Sequence, residues 1–216
     1  MKRLSRKDTL PARKFALDII SFWHSNLGDK YRFAERLVGS AKWNTVIKDD
    51  NGFWDVDYQL LLTKKSKEYK NNGLKHATAI KNDFFNSLKE KYKDNNNFIV
   101  QNSTTAITLI NKKDKYSIDF VLIRCFPDND EIIRRNNKEE DISVNEFTWN
   151  PLPAYNKAYD AFNDLDWKKK EDLIKNYILP RKVKEKKKDD NDITKRSSSE
   201  VFVEEVNNYV VRRRNR

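Results

Sequence analysis

The sequence is poor in the residues that build disulfides and zinc sites. Its 216 residues contain one cysteine, Cys125, and two histidines, His24 and His76. A single cysteine excludes an internal disulfide framework and is typical of proteins from a reducing cytoplasm. Neither histidine belongs to a His-Glu-x-x-His motif or to the Cys/His spacing of a zinc site. Any metal chemistry therefore falls to carboxylates.

Long apolar segments are also lacking. No stretch approaches the roughly 18 or more apolar residues that a bilayer-spanning helix needs. The basic N-terminus, residues 1–14, lacks the apolar segment and the small-residue cleavage site of a secretory signal. We therefore expect a cytoplasmic protein without a membrane partner, and the sequence leaves the oligomeric state open.

The net charge of +11 attracts polyanions such as nucleotides and nucleic acids. Much of the excess positive charge lies near the ends, in residues 2–14, 181–188 and 212–216. Runs of this kind are common in solvated tails. The charge therefore agrees with a phosphate-bearing partner without identifying it.

Hydrophobic periodicity predicts both helices and strands. A period of 3.6 residues predicts helices over residues 10–27, 31–38, 74–92, 153–163 and 167–184. A period of two predicts strands over residues 53–62, 98–101, 104–110 and 116–124. This order predicts an α+β fold with a mixed or antiparallel sheet and flanking helices.

The C-terminal part differs in character. We interpret residues 128–141 as loop and residues 184–199 as a charged, mobile linker. Ser197 and Glu200 have the spacing of a capping box, so a terminal helix begins there, with an apolar side and a basic end at residues 212–216. The apolar side consists of Val203, Val206 and Val210. The predicted division is a core over 1–126, a helical part over 127–183, the linker, and the terminal helix over 200–216.

Three aspartates stand out in the apolar strands. Asp55 and Asp57 share one strand face about 7 Å apart, and Asp119 lies on a second alternating strand. Carboxylates on one face repel each other unless a cation bridges them, and Mg²⁺ prefers oxygen ligands. Three carboxylates can hold two ions, one activating an attacking hydroxyl and one holding a triphosphate. The pattern is that of a two-metal nucleotidyl-transfer site.

The Gly39-Ser40 pair supplies the second half of this site. A glycine lets the backbone approach a phosphate, and the Ser40 hydroxyl can donate to it. Lys42 adds positive charge, and Thr45 either supports the turn or touches phosphate. A Gly-Ser pair alone is commonly an ordinary turn, and an Asp-x-Asp pair alone is commonly a solvated strand face. The combination in this order is what favours a site.

These residues resemble a known superfamily. Residues 38–47 (VGSAKWNTVI), 54–57 (WDVD) and 118–121 (IDFV) resemble the DNA polymerase beta-type nucleotidyltransferases. Within that superfamily the pattern is most similar to bacterial enzymes related to cyclic GMP-AMP synthase and oligoadenylate synthase, over about residues 10–124. The resemblance implies a mixed sheet with flanking helices and a small C-terminal helical part that covers the cleft.

The same resemblance implies roles for the residues. It makes Asp55, Asp57 and Asp119 the metal ligands, with Asp119 also placed to help deprotonate the acceptor hydroxyl. It implies phosphate contact for Ser40. Together with the residues of the turn discussed above, the predicted nucleotide-binding set is Gly39, Ser40, Lys42 and Thr45. The expected cofactor is Mg²⁺, with Mn²⁺ as a substitute, and the expected substrate is an NTP.

Three functional hypotheses remain open at this point. The first is transfer of NMP from an NTP to a second nucleotide, giving a linear or cyclic oligonucleotide signal, by resemblance in anti-phage defence. The second uses the same chemistry on an RNA end or a protein hydroxyl, as in toxin-type relatives. The third is a catalytically silent nucleic-acid-binding module, which would have no need of three clustered acids.

Overall fold

The computed structural model describes residues 1–67, 73–126, 130–136, 146–152, 155–189 and 192–214, with only the backbone of residues 156, 213 and 214. Its strands are β1 Lys2–Arg3, β2 Phe33–Val38, β3 Ile47–Lys48, β4 Trp54–Leu62, β5 Phe98–Asn102, β6 Ala106–Asn111, β7 Tyr116–Arg124, β8 Glu131–Arg135 and β9 Phe147–Pro151. Its helices are α1 Leu10–Leu27, α2 Gly39–Trp43, α3 Ala77–Tyr92, α4 Asn156–Asn163, α5 Trp167–Leu173, α6 Leu179–Lys186 and α7 Ser198–Arg214. A π-helical turn, Ile174–Ile178, joins α5 to α6.

A seven-stranded mixed sheet forms the centre of the molecule. Its strand order is β2-β4-β7-β6-β5, and β8 pairs antiparallel with the end of β7 and with β9. Strands β4 and β7 run parallel, with Asp57 opposite Asp119, while the neighbouring pairings are antiparallel. The predicted α+β class with a mixed sheet and flanking helices is confirmed.

The main core lies between helices α1 and α3 and one face of the sheet. Trp23 of α1 packs edge-on against Phe84 of α3 and Phe120 of β7, with ring centroids 5.3 Å and 4.8 Å away. Its indole Nε1 donates to the Phe84 carbonyl oxygen and to Ser87 Oγ, so the buried polar atom is satisfied. Since alternate residues of β4 enter this core, the intervening ones face the other side of the sheet.

A second, smaller core forms among the C-terminal helices. Phe162 of α4, Ile178 of the π-helical turn and Phe202 of α7 are all buried in it. Trp43 at the end of α2 packs against this cluster, stacking on Phe202 with centroids 5.4 Å apart. The Trp43 ring therefore joins the C-terminal helices to the sheet domain.

The helix predicted for residues 31–38 is wrong. Residues Phe33–Val38 form strand β2, which pairs antiparallel with β4, and Gly39 begins a helix rather than ending one. The apolar spacing of so short a segment fits either period. The backbone hydrogen bonds offered by the open edge of β4 decide in favour of the strand.

The region after residue 126 also differs from the prediction. Residues Glu131–Arg135, expected in a loop, form strand β8, and Phe147–Pro151 form strand β9 inside the segment expected to be helical. Residues 127–129, 137–145 and 153–154 lie outside the described part, so the loop prediction cannot be followed there. The division into domains stays a prediction.

The terminal helix begins as predicted. Glu200 Oε2 accepts a hydrogen bond from the Ser197 N–H (2.8 Å), and Ser197 Oγ accepts one from the Glu200 N–H (3.2 Å). Val206 is fully buried, Val203 packs partly and Val210 is half-buried, and Phe202 is also buried in the second core. None of the described helices has both the length and the apolar character of a membrane-spanning helix.

The predicted linker is more structured than expected at both ends. Helix α6 continues to Lys186, and Glu185 accepts a hydrogen bond from the Arg196 N–H at 2.9 Å. Residues 190 and 191 lie outside the described part, so mobility between these ends stays a prediction. Arg212, expected in a free basic end, lies over the Tyr177 ring 5.1 Å from its centroid.

Candidate active site

Strand β4 presents its polar side chains to a cavity. Trp54, Val56 and Tyr58 face the core, so Asp55 and Asp57 line a cavity of about 690 Å³ on the opposite side of the sheet. This volume lies within the range of roughly 300–1,000 Å³ that is typical of small-molecule sites.

The parallel register brings the third aspartate to the same face. Asp119 on β7 lies directly opposite Asp57 on β4, and adjacent strands are about 4.8 Å apart. Asp119 Oδ1 accepts a hydrogen bond from Thr108 Oγ1 at 2.6 Å, and Thr108 is its partner across the β6–β7 ladder. The three predicted aspartates therefore share one face, although Asp119 is not among the residues that line the cavity.

Burial and mutual repulsion disfavour the ionised forms of Asp57 and Asp119. Burial raises the pKa of Asp57 well above its usual range, and the charges of Asp55 and then Asp119 raise it further. Lys182 and the backbone N–H of Ser40 act in the opposite direction. Burial also raises the pKa of Asp119, Thr108 opposes this, and Asp55 adds to it.

The aspartates do not form a ready-made metal site. Within the described ranges of the chain, no group of three or more His, Cys, Asp or Glu side chains has the geometry to hold an ion. Metal ligation by Asp55, Asp57 and Asp119 therefore stays a prediction. The donor set fits a hard divalent cation, because oxygen ligands suit Mg²⁺ and a cation would relieve the repulsion that raises the pKa of Asp57.

Gly39 is held against Asp57. Its φ is +61°, in the left-handed region, and a Cβ atom built on it would lie 2.1 Å from Asp57 Oδ2. Only glycine fits both the conformation and the contact. The backbone N–H of the next residue, Ser40, acts to lower the pKa of Asp57. The predicted close approach of the backbone at Gly39 is therefore present, but its partner in the structure is the Asp57 carboxylate rather than a phosphate.

Lys182 of α6 belongs to the site, although the sequence analysis placed it in a basic run near the end of the chain. Its Nζ donates to Ser40 Oγ (2.7 Å) and to the Thr45 carbonyl oxygen (2.9 Å), and the residue is 3% exposed. Burial lowers the pKa of Lys182 to about 8, with Lys186 acting in the same direction and Asp55 and Asp57 against it. No local pattern distinguishes this lysine from its basic neighbours.

Lys42 and Thr45 also line the cavity, in different ways. Lys42 Nζ lies over the Trp43 ring, 4.7 Å from its centroid. Thr45 is buried, and its N–H donates to the Ser40 carbonyl oxygen at 2.9 Å. Of the two roles left open for Thr45, the structure shows the support of the turn.

Further residues around the cavity were not singled out from the sequence. They include Arg36, Gln59, Asp130, Tyr159, Ser198, Ser199 and Phe202. They come from β2, β4, the start of β8, α4 and α7, and no sequence pattern connects these elements. Tertiary folding alone gathers them.

Comparison with known proteins identifies the fold. No family model and no curated protein matches the sequence. A c-di-GMP synthase, CdnE from Capnocytophaga granulosa, superposes with a TM-score of 0.64 at 19% identity, covering 95% of this chain. The Vibrio cholerae cyclic AMP-GMP synthase DncV, in complex with the linear intermediate pppA(3′,5′)pG, gives 0.58 at 14% identity over 83% of this chain. The chain has the fold of the cGAS/DncV-type nucleotidyltransferases.

This nucleotidyltransferase fold confirms the resemblance of residues 38–47, 54–57 and 118–121 at the level of architecture. Escherichia coli DncV, in a form bound to 3′-deoxy GTP, superposes over 67% of this chain with a TM-score of 0.50 and 15% identity. The chain spans 61% of the CdnE structure, 47% of the V. cholerae DncV structure and 38% of the E. coli one. At these identities the likeness shows the fold, and the chemistry rests on the site.

Proposed function

We propose that this chain is a divalent-metal-dependent nucleotidyltransferase that transfers NMP from an NTP to a hydroxyl group and releases pyrophosphate. The observation that carries the proposal is the arrangement around Asp57. This carboxylate lies opposite Asp119 across the β4–β7 ladder and against Gly39, in a cavity that also exposes Asp55 and Ser40. The fold shared with nucleotidyltransferases supports the same chemistry.

The triphosphate binds to the Ser40 turn. The Lys182 ammonium already donates to the Ser40 hydroxyl at 2.7 Å, so a phosphate oxygen placed beside Ser40 meets both a hydroxyl donor and a buried cation. A charge-assisted hydrogen bond of this kind is stronger than a neutral one. Ser40 acts by binding rather than as a nucleophile, because no base lies next to it in the sequence and its hydroxyl accepts from an ammonium.

Asp119 receives the proton of the attacking hydroxyl. Burial raises the pKa of this carboxyl, which moves it toward the value that suits a general base near neutral pH. The hydrogen bond from Thr108 Oγ1 fixes one carboxylate oxygen and leaves the other for the acceptor. Asp119 is therefore oriented by Thr108 and made more basic by its burial.

Asp55, Asp57 and Asp119 are the residues that would hold the metal, Mg²⁺ or Mn²⁺. When bound, such an ion neutralises developing charge on the phosphates and on the attacking oxygen. The chain's own part is to place three carboxylates on one face of two parallel strands, where the backbone ladder prevents them from moving apart.

A second nucleotide is the acceptor that we propose. Two of the structures that share this fold are cyclic dinucleotide synthases, and one of them holds a linear dinucleotide intermediate. The product would then be a linear or cyclic oligonucleotide, with a role in defence signalling. The alternative acceptors, an RNA end or a protein hydroxyl, are distinguished by the nature of the labelled product.

The test is an incubation of the purified chain with each α-³²P-labelled NTP and Mg²⁺ or Mn²⁺, with EDTA as the control. A small, soluble, divalent-dependent product is the expected result. Label on RNA or on the protein would keep the transfer chemistry but contradict the nucleotide acceptor. If no NTP leads to labelled product, the proposed transferase is wrong, and a silent binding module takes its place.

A further inference from the structure

The end of the cavity away from Ser40 carries a second polar group, formed by Arg36 and Gln59. These residues lie opposite each other in the β2–β4 ladder. Arg36 Nε donates to Gln59 Oε1 at 2.9 Å, and Arg36 Nη2 donates to the same oxygen. Gln59 lies two residues beyond Asp57 on the same strand face, about 7 Å further along. This bond holds the Arg36 guanidinium beside β4, the strand that carries Asp55 and Asp57.

The lining of the cavity also includes an acidic residue, Asp130. Its carbonyl oxygen accepts the Leu152 N–H at 2.8 Å, which holds its backbone. The charges of Arg36 and Asp130 both act on the Cys125 thiol. Burial raises the pKa of this thiol, the charge of Asp130 and a hydrogen bond to it raise it further, and Arg36 acts in the opposite direction. Arg36 and Asp130 therefore place one cation and one carboxylate on the lining of the same cavity.

Aromatic rings form the walls between the two ends. Phe126, Tyr155 and Tyr159 all line the cavity. Burial raises the pKa of the Tyr159 hydroxyl, Tyr155 adds to the effect, and the charges of Arg36 and Asp57 both act on it. Tyr159 therefore shares the cavity with both Arg36 and Asp57. A planar base placed there has an aromatic surface beside it, and stacking of this kind accepts any base.

We propose that Arg36 and Asp130 select guanine as the base of the bound nucleotide, with Gln59 as the residue that positions Arg36. This proposal rests on the proposed function, because it assigns the base of the same NTP whose phosphates bind near Ser40. Guanine presents two acceptors, O6 and N7, which match the two-pronged guanidinium of an arginine. Its N1–H and N2–H₂ groups present two donors, which match the two oxygens of a carboxylate.

The other bases match this pair less well. Adenine presents an amino donor and the N1 acceptor on its Watson–Crick edge. With this pair of side chains, either N1 would face the carboxylate, acceptor to acceptor, or the amino group would face the guanidinium, donor to donor. Cytosine offers a single amino donor to the carboxylate. A site built for paired hydrogen bonds rejects a base that leaves them unmade, and a well-formed bidentate pair discriminates by roughly 5- to 150-fold.

The experiment measures equilibrium binding of the α,β-methylene analogues of GTP, ATP, CTP and UTP to the full chain with Mg²⁺, by calorimetry. These analogues block transfer, so the readout does not depend on turnover. We expect the GTP analogue to bind at least about tenfold more tightly than the other three. Arg36→Gln and Asp130→Asn should each remove most of this preference, so that the affinities for the GTP and ATP analogues come within about twofold of each other.

Asp94→Asn is the matched control, because Asp94 is exposed after α3 and does not line the cavity. It should leave all four affinities unchanged. The ratio of two affinities on one sample does not depend on the fraction of folded protein, so a partly unfolded variant still gives an answer. Equal binding of all four analogues, or equal weakening of all four by both variants, overturns guanine selection and leaves nucleotide binding intact. Failure of every analogue to bind overturns both the proposed function and guanine selection.

Discussion

At the scale of single residues, Asp57 is the position where the stability of the fold and the charge needed for the proposed chemistry oppose each other. Its carboxylate is buried beside two other acids, and its pKa is raised well above the usual range as a result. A charge held in this way reduces the stability of the folded state unless a cation or a proton compensates it. Such conflicts between stability and local charge are typical of functional sites.

Asp57→Asn should therefore separate stability from activity. The amide is a poor Mg²⁺ ligand, so we expect NTP turnover to fall at least about 100-fold, while the midpoint of thermal unfolding in EDTA should not fall, because a repelling charge is removed. Turnover of labelled NTP and thermal unfolding measure the two effects. Asp94→Asn, at an exposed position, should change neither. Native turnover by Asp57→Asn would disprove the site assignment.

Gly39 and Gly73 provide a matched pair of glycines. Both have positive φ, +61° and +66°, but a Cβ on Gly39 would lie 2.1 Å from Asp57 Oδ2, whereas a Cβ on Gly73 meets nothing within 4 Å. Alanine at Gly73 should cost about 1 kcal/mol of unfolding free energy from the backbone alone. Alanine at Gly39 should cost about 1–3 kcal/mol more, because Asp57 must move.

Urea unfolding of Gly39→Ala and Gly73→Ala measures this difference. NTP turnover should fall only in Gly39→Ala, since that variant displaces Asp57. Equal destabilisation by the two substitutions would show that the contact between Gly39 and Asp57 does not constrain the site.

At the scale of elements, helix α7 forms one wall of the cavity through its first turn. Ser198, Ser199 and Phe202 line the cavity, and the reciprocal hydrogen bonds of Ser197 and Glu200 hold this turn. An element that begins at a site needs a defined first residue, and the capping box provides it.

Ser197→Ala should lower the free energy of unfolding by about 1 kcal/mol, because the Glu200 N–H loses its acceptor. Glu200→Gln is the control, since glutamine can return the second hydrogen bond of the box and should cost less than about 0.5 kcal/mol. Urea unfolding at neutral pH measures both. If the two variants lose the same stability, the serine cap does not hold the helix.

At the scale of the whole molecule, Lys81 connects three elements on the core side of the sheet. Its Nζ donates to the Ser103 carbonyl oxygen at 2.7 Å and lies over the Phe147 ring, 4.1 Å from its centroid. The residue is 1% exposed. Burial lowers the pKa of Lys81 to about 7, and the charge of Arg135 contributes in the same direction.

This pKa makes stability depend on pH in a defined direction. Between pH 7 and the unfolded-state pKa of about 10.4, the unfolded chain binds the proton that folded Lys81 has lost, so stability rises with pH across this window. Relative to Lys81→Met, the native chain should gain about 2 kcal/mol of unfolding free energy between pH 7 and pH 9. Urea unfolding at both values measures the difference.

Lys113→Met, at an exposed position after β6, is the control and should follow the native pH dependence. Parallel pH dependence of the native chain and Lys81→Met would mean that the ammonium is solvated in the folded state.

The sequence alone determined the features that depend on local periods. Alternation along β4 placed Asp55 and Asp57 on one face, the spacing of apolar residues set the bounds of α1, and Ser197 with Glu200 marked the start of α7. Each of these depends on neighbours within a few residues, which a sequence displays directly. The resemblance to nucleotidyltransferases rested on the same local motifs and led to the fold.

Tertiary structure decided everything that depends on partners far apart in the chain. The β4–β7 register sets Asp119 opposite Asp57, and the free edge of β4 turned residues 33–38 from an expected helix into a strand. Lys182 reaches Ser40 across 142 positions of sequence. Such contacts form only when whole elements pack, because their free energy comes from burial and from hydrogen bonds between elements, and no local pattern of residue types records them.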